Sequence, residues 1–127
     1  MASDLVHALT TNHLLFPIQH LVANSCSKRL EYVQDTKLYN SGTFKLERED
    51  HTMGNLIRMQ LMRDPDVIFV GYKHPHPYEH HILLRVQTTT RPSVGGTYLP
   101  PDAFKTALQD LAAEVSTLSE QLRSQLH

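Results

Sequence analysis

Four imidazoles crowd one short stretch of the chain. His74, His76, His80 and His81 lie within eight residues, interrupted by Pro75 and Pro77. Neutral imidazole is the commonest protein ligand for zinc and its neighbours, and His76 and His80, converging across a tight turn, are the natural pair for one ion. Two features argue against a metal centre. Adjacent positions on a strand point to opposite faces, so His80 and His81 do not readily reach the same ion. The prolines also stiffen the turn without setting a ligand spacing. The expected role of these residues is that of exposed turn histidines whose charge follows pH, with a His-dependent metal-binding protein as the remote alternative. No metal and no other cofactor is expected.

Other reactive groups are scattered. Glu79 and Asp50 are isolated acids without a paired carboxylate, and Cys26 lies in a polar stretch with no neighbouring histidine to lower its pKa. Gly-rich phosphate loops, a GxSxG elbow and an HExxH helix are missing from the sequence. No catalytic residue is assigned, and the chain is read as a non-enzyme. Its net charge is −1, and its 12 Lys and Arg residues are dispersed, with Lys28 and Arg29 the one adjacent pair. A basic face for nucleic acid is therefore not expected, nor is direct sequence-specific DNA binding. The single cysteine rules out an intrachain disulfide and fits a reducing compartment. Residues 1 to 27 carry no Lys or Arg, and Leu14–Ile18 is too short for the apolar core of a secretory signal. No stretch approaches the ~20 apolar residues of a membrane span. A soluble intracellular protein is expected.

The elements that position these groups are clearest between Glu49 and Thr89. Asp50 and Thr52 each offer a side-chain oxygen to the free amides of a helix start. Met53, Leu56, Ile57 and Leu61 then form one apolar stripe at helical spacing. Met59 and Met62 lie off that stripe, which implies a second apolar neighbour for the helix. Gly54, costly near a helix start, either marks a close approach or is incidental. Asp64 and Pro65 end the helix. The run Val67, Ile68, Phe69, Val70 reads as a strand buried on both faces, closed by a turn at Gly71, Pro75 and Pro77. In the next strand Ile82, Leu84 and Val86 point one way, and His81, Leu83, Arg85 and Gln87 the other.

At 127 residues the chain is one domain's worth. Residues 1–28 show no sustained period and are expected to be a partly mobile extension, with the domain occupying 29–127. Two short strands are expected first, one with Leu30 and Tyr32 alternating with Glu31 and Val33, the other from Thr43 to Leu46, with Asn40, Ser41 and Gly42 turning between them. The fold class is α+β: about four mostly antiparallel strands, one helix packed on them, and a long C-terminal helix. That last helix follows the loop RPSVGGTYLPP, enters through Pro100 and Pro101, and has Asp102 at the positive end of its dipole. Phe104, Leu108, Leu111, Val115, Leu118 and Leu122 recur at spacings 4, 3, 4, 3, 4, a heptad seam. Such a helix spans ~37 Å, whereas a compact domain of this size has a radius of gyration of only ~14 Å. A small sheet does not cover that seam end to end, so a partner helix is expected.

The residues also carry a resemblance. The run Glu49, Asp50, His51, Thr52, Met53, Gly54, Asn55, then Asp64, Pro65, then Val70, Gly71, Tyr72, Lys73, His76, Pro77, Glu79, His80, and Arg85 to Thr89 resembles the smaller alpha-like subunits of eukaryotic RNA polymerase II. Archaeal subunit L and the bacterial alpha amino-terminal domain are more distant relatives. The resemblance covers about residues 30 to 126 and departs in the N-terminal region and the 91–99 loop. It implies a nuclear, non-catalytic subunit whose two helices pack on those of a larger alpha-like subunit, forming a heterodimer on which the large catalytic subunits assemble. By the same analogy Leu56, Met59 and Met62 meet the partner together with Phe104, Leu108, Leu111, Val115, Leu118 and Leu122. Arg58 matches a large-subunit contact. The equivalent subunit shared by polymerases I and III is the alternative, although Lys73 and the His76, Pro77 dipeptide fit the polymerase II form more closely.

Overall fold

The computed structural model describes residues 29–126, so the expected extension over 1–28 lies outside the described residues. Four strands and two helices follow in the order β1 (Leu30–Gln34), β2 (Ser41–Glu47), α1 (His51–Met62), β3 (Val67–Lys73), β4 (His81–Thr88) and α2 (Pro100–Gln125). The strands form one antiparallel sheet in the spatial order β1-β2-β4-β3. Strand β4 is therefore central, and its alternation is the clearest in the chain: Ile82, Leu84 and Val86 are buried while Arg85 faces out. Phe44 and Leu46 of β2, paired with Leu84 and Ile82, extend the same apolar face. Both α1 and the first half of α2 lie on that face, where one helix had been expected.

The start of α1 is set by Asp50, whose carboxylate accepts from the Thr52 amide at 2.9 Å. That bond holds its pKa below the usual carboxylate value. Gly54 marks a close approach: a Cβ there would stand 2.6 Å from the Tyr72 ring of β3, inside contact distance. The helix closes through Arg63, just ahead of Asp64 and Pro65.

Three local expectations are corrected. Ser41 and Gly42 do not turn the β1–β2 hairpin but pair with Gln87 and Val86 inside the sheet. The turn lies earlier, where Asp35 accepts from the Lys37 amide and Ser41 donates to the Leu38 carbonyl. Asn40 is buried beside it, its side chain donating to the Thr88 carbonyl while its own carbonyl accepts from the Thr88 amide. Strand β3 is an edge strand, not one sealed on both faces: Ile68 and Phe69 stand mostly exposed at a register shift between Val67 and Phe69. Gly71 lies within β3 and not in the turn after it.

The 89–99 loop is tied down at several points. Asp66 accepts from the Ser93 amide and hydroxyl, the Thr89 amide donates to the Asp66 carbonyl, and the Tyr98 hydroxyl donates to Asp64 at 2.5 Å. Thr88 completes the clasp by donating to the Tyr98 carbonyl. This anchoring delivers the chain to Pro100, and Asp102 reaches back to accept from the Leu99 amide, satisfying one of the free donors at the start of α2.

Candidate pairing surface

The histidines do not converge. His76 accepts from the Tyr78 amide, His81 lies half-buried with its Nδ1 3.3 Å from the Glu79 carboxylate, and His80 is exposed. His74 instead approaches His51, at 5.5 Å between ring centres. Among the described residues no group of three or more His, Cys, Asp and Glu side chains is placed to hold a metal ion. No described helix is long and apolar enough to cross a membrane.

The apolar seam of α2 divides in two. Phe104, Leu108 and Leu111 are 1, 2 and 5 % exposed, and Phe104 stacks on Phe44 with ring centres 4.3 Å apart. These three residues, expected from the sequence to meet a partner, are instead part of the chain's own core. The reason is that Ala103 and Ala107 are small enough to let α2 lie close against the sheet over its first three turns. From Val115 onward the row is open: Val115, Leu118 and Leu122 stand more than half exposed, and Leu126 continues the row four residues further on.

Helix α1 divides the same way around its axis. Met53, Ile57 and Leu61 face the core, while Leu56, Met59 and Met62 face solvent. Leu56 had been expected on the core stripe as well as at the partner, and its exposure puts it on the outer face. Arg58 lies among these outer residues, half-buried, its guanidinium 3.3 Å from the Met62 sulfur and 3.4 Å from the Asn55 side-chain oxygen. The two open faces meet at the end of α1, where Arg63 bonds Glu114 at 3.0 Å, one turn beyond the last buried residue of α2. Together the two open faces carry six of the nine apolar residues expected at a partner. Large apolar side chains left in water on such a scale need a cover, since burying each is worth ~1.5–3 kcal/mol.

The architecture is an antiparallel sheet with a helix pair that it covers only in part, and comparison with known proteins assigns it to a family. The profile of the RNA polymerase Rpb3/Rpb11 dimerisation domain matches residues 41–121. The chain belongs to this family. The match takes in five of the six described elements, including the clasped loop and most of α2. A curated relative from Caenorhabditis briggsae, named a probable DNA-directed RNA polymerase II subunit RPB11, is 46% identical over 97 residues, 76% of this chain and 75% of its own length. The RPB11 subunit of RNA polymerase II from Dictyostelium discoideum is 38% identical over 100 residues, 79% of this chain and 78% of its own. Among solved structures, DNA-directed RNA polymerase subunit L from Thermoplasma acidophilum matches with a TM-score of 0.59 at 20% identity, covering 76% of this chain and 86% of that one. That last likeness concerns the fold, an α+β sheet with a long C-terminal helix.

Proposed function

We infer that the two open faces seat the larger alpha-like subunit of RNA polymerase, so that the heterodimer forms the base on which the large catalytic subunits assemble. The chain is a non-catalytic subunit of DNA-directed RNA polymerase II, in the dimerisation family to which its sequence assigns it. A nuclear location follows from that role. The observation that carries the reading is the split seam: Leu118 and Leu122 lie 65 and 63 % exposed in a row whose first half is sealed. Leu56, Met59, Met62, Val115, Leu118 and Leu122 are the residues of this chain that meet the partner's helices. Arg58, whose guanidinium lies beside Met59 and Met62, is the residue the family analogy assigns to a large-subunit contact. Direct DNA recognition has no part in this role.

The test is co-expression with the larger alpha-like subunit of polymerase II. The two chains should copurify as a 1:1 complex, and the Val115→Asp/Leu118→Asp variant should not. Retained pairing in that variant would remove the distal half of α2 from the interface. Recovery of the tagged chain from nuclei with the subunits of polymerases I and III, and without those of polymerase II, would replace the polymerase II assignment by its alternative.

A further inference from the structure

Three of the chain's four methionines lie on α1, and their environments differ sharply. Met53 is sealed in the core at 3 % exposure, whereas Met59 and Met62, three residues apart and so on one face, are 51 and 59 % exposed. A thioether in water is open to two-electron oxidation, and a buried one is shielded from the oxidant. Both exposed sulfurs also have a cation beside them. One terminal nitrogen of Arg58 lies 3.3 Å from the Met62 sulfur, and the other lies 3.8 Å from that of Met59. A thioether is a weak acceptor. A sulfoxide oxygen at either position is a strong one, within reach of a guanidinium already in place.

We propose that Met59 and Met62 are an oxidation site of the unpaired subunit, and that their conversion to sulfoxides blocks pairing. The inference rests on the pairing surface assigned above. In each step hydrogen peroxide delivers one oxygen atom to a sulfur lone pair. The O–O bond breaks, the S–O bond forms, the sulfur loses two electrons, and the peroxide leaves as water. The product replaces a flexible apolar group with a polar one on the apolar face of α1. Arg58 then holds the new oxygen by a charge-assisted hydrogen bond, fixing the polar group where the partner's helix must pack. Docking would bury that oxygen or strip it of water, and either costs affinity. Once the pair has formed, the partner covers both sulfurs and the site is closed to oxidant. The consequence is directional: an orphaned chain loses competence to assemble, and an assembled one keeps it.

The experiment treats the full-length chain with hydrogen peroxide, maps oxygen addition by peptide mass spectrometry, and then measures binding to the larger alpha-like subunit. Met59 and Met62 should gain oxygen well before Met53, and affinity should fall by roughly tenfold or more. Methionine sulfoxide reductase should restore it, and the preformed complex should resist the same treatment. The Met59→Leu/Met62→Leu variant, whatever its starting affinity, should bind equally before and after peroxide. Full oxidation of both residues with unchanged affinity would overturn the proposal, as would equal peroxide sensitivity in the double-leucine variant. A chain that fails to pair before any peroxide is added would defeat the pairing surface itself, a different result from normal pairing that peroxide leaves untouched.

Discussion

From Pro100 to Leu111 and again from Ala112 to Gln125, α2 keeps one apolar spacing, yet the first stretch is sealed on the sheet and the second is bare among the described residues. The difference is one of reach. At 26 residues the helix runs ~39 Å, whereas β4, the longest strand at eight residues, runs ~27 Å. Only part of the helix has a sheet beneath it. Periodicity therefore reports which side of a helix avoids water, and the dimensions of the neighbouring layer decide how much of that side the chain itself can cover. Helix α1 repeats the lesson around its circumference, with Ile57 inside and Met59 outside. On the pairing surface proposed above, such a subunit keeps its stability in one half of a helix and its capacity for assembly in the other.

Substitutions in the two halves should separate those properties. Phe104→Ala removes a ring stacked on Phe44 in the sealed half, and should cost ~3–5 kcal/mol of folding stability, read as a large fall in the urea midpoint of the isolated chain. Val115→Asp/Leu118→Asp lies in the open half. It should leave folding stability within ~0.5 kcal/mol of the parent, yet weaken pairing roughly a hundredfold or more. If the double substitution unfolded the isolated chain, the open half would be part of the core after all and the division would collapse.

How much of this was legible in the sequence follows from the range of the forces involved. Short-range rules worked well: a cap at Asp50 or Thr52, which the structure resolves to Asp50, the alternation of Ile82, Leu84 and Val86, and the entry of α2 at its prolines each depend on neighbours within a turn or a strand. Gly54 left a close approach and an incidental glycine equally open, and only the Tyr72 ring, which comes from another element, decides for the first. Strand β3 misled for a related reason. Val67 to Val70 is apolar enough to be central, but the sheet order places it at an edge, and sheet order is not written in any local pattern. The fate of Phe104 and Leu108 was hidden in the same way. Their spacing matched that of Leu118, and what separated them was a sheet assembled from strands that lie far earlier in the chain, the first of them at Leu30–Gln34. The family resemblance supplied the partner, which no periodicity could name.

Smaller effects should sharpen where the sealed half begins. Tyr98 fastens the loop that delivers α2 to the sheet, and Tyr98→Phe, which loses the bond to Asp64, should cost about 1 kcal/mol near neutral pH. Burial first, and then the hydrogen bond and negative charge of Asp64, push the Tyr98 phenol above its ordinary value. The folded chain therefore holds this proton more tightly than the unfolded one. Its contribution is complete below roughly pH 10, the ordinary tyrosine value, and is lost as pH rises from there toward the folded pKa. The gap between parent and Tyr98→Phe should accordingly narrow in alkaline denaturation series. A constant gap would show that the hydroxyl is not the anchor.

The boundary between the two halves is marked by Arg63 and Glu114, an exposed ion pair joining α1 to α2 just past Leu111. Pairs of this kind contribute ~0–1 kcal/mol because water screens them and two long side chains must be ordered to make them. Glu114→Gln should thus hardly move the stability of the isolated chain. Pairing is a separate measurement, since a partner that rests on α1 and α2 together depends on the angle between them. A several-fold loss of affinity at unchanged stability, fading as salt is raised, would show that the bridge holds the open half at the angle its partner needs. Equal affinities at low and high salt would mean that packing of Leu108 and Leu111 alone sets that angle, and that the boundary is drawn by the core.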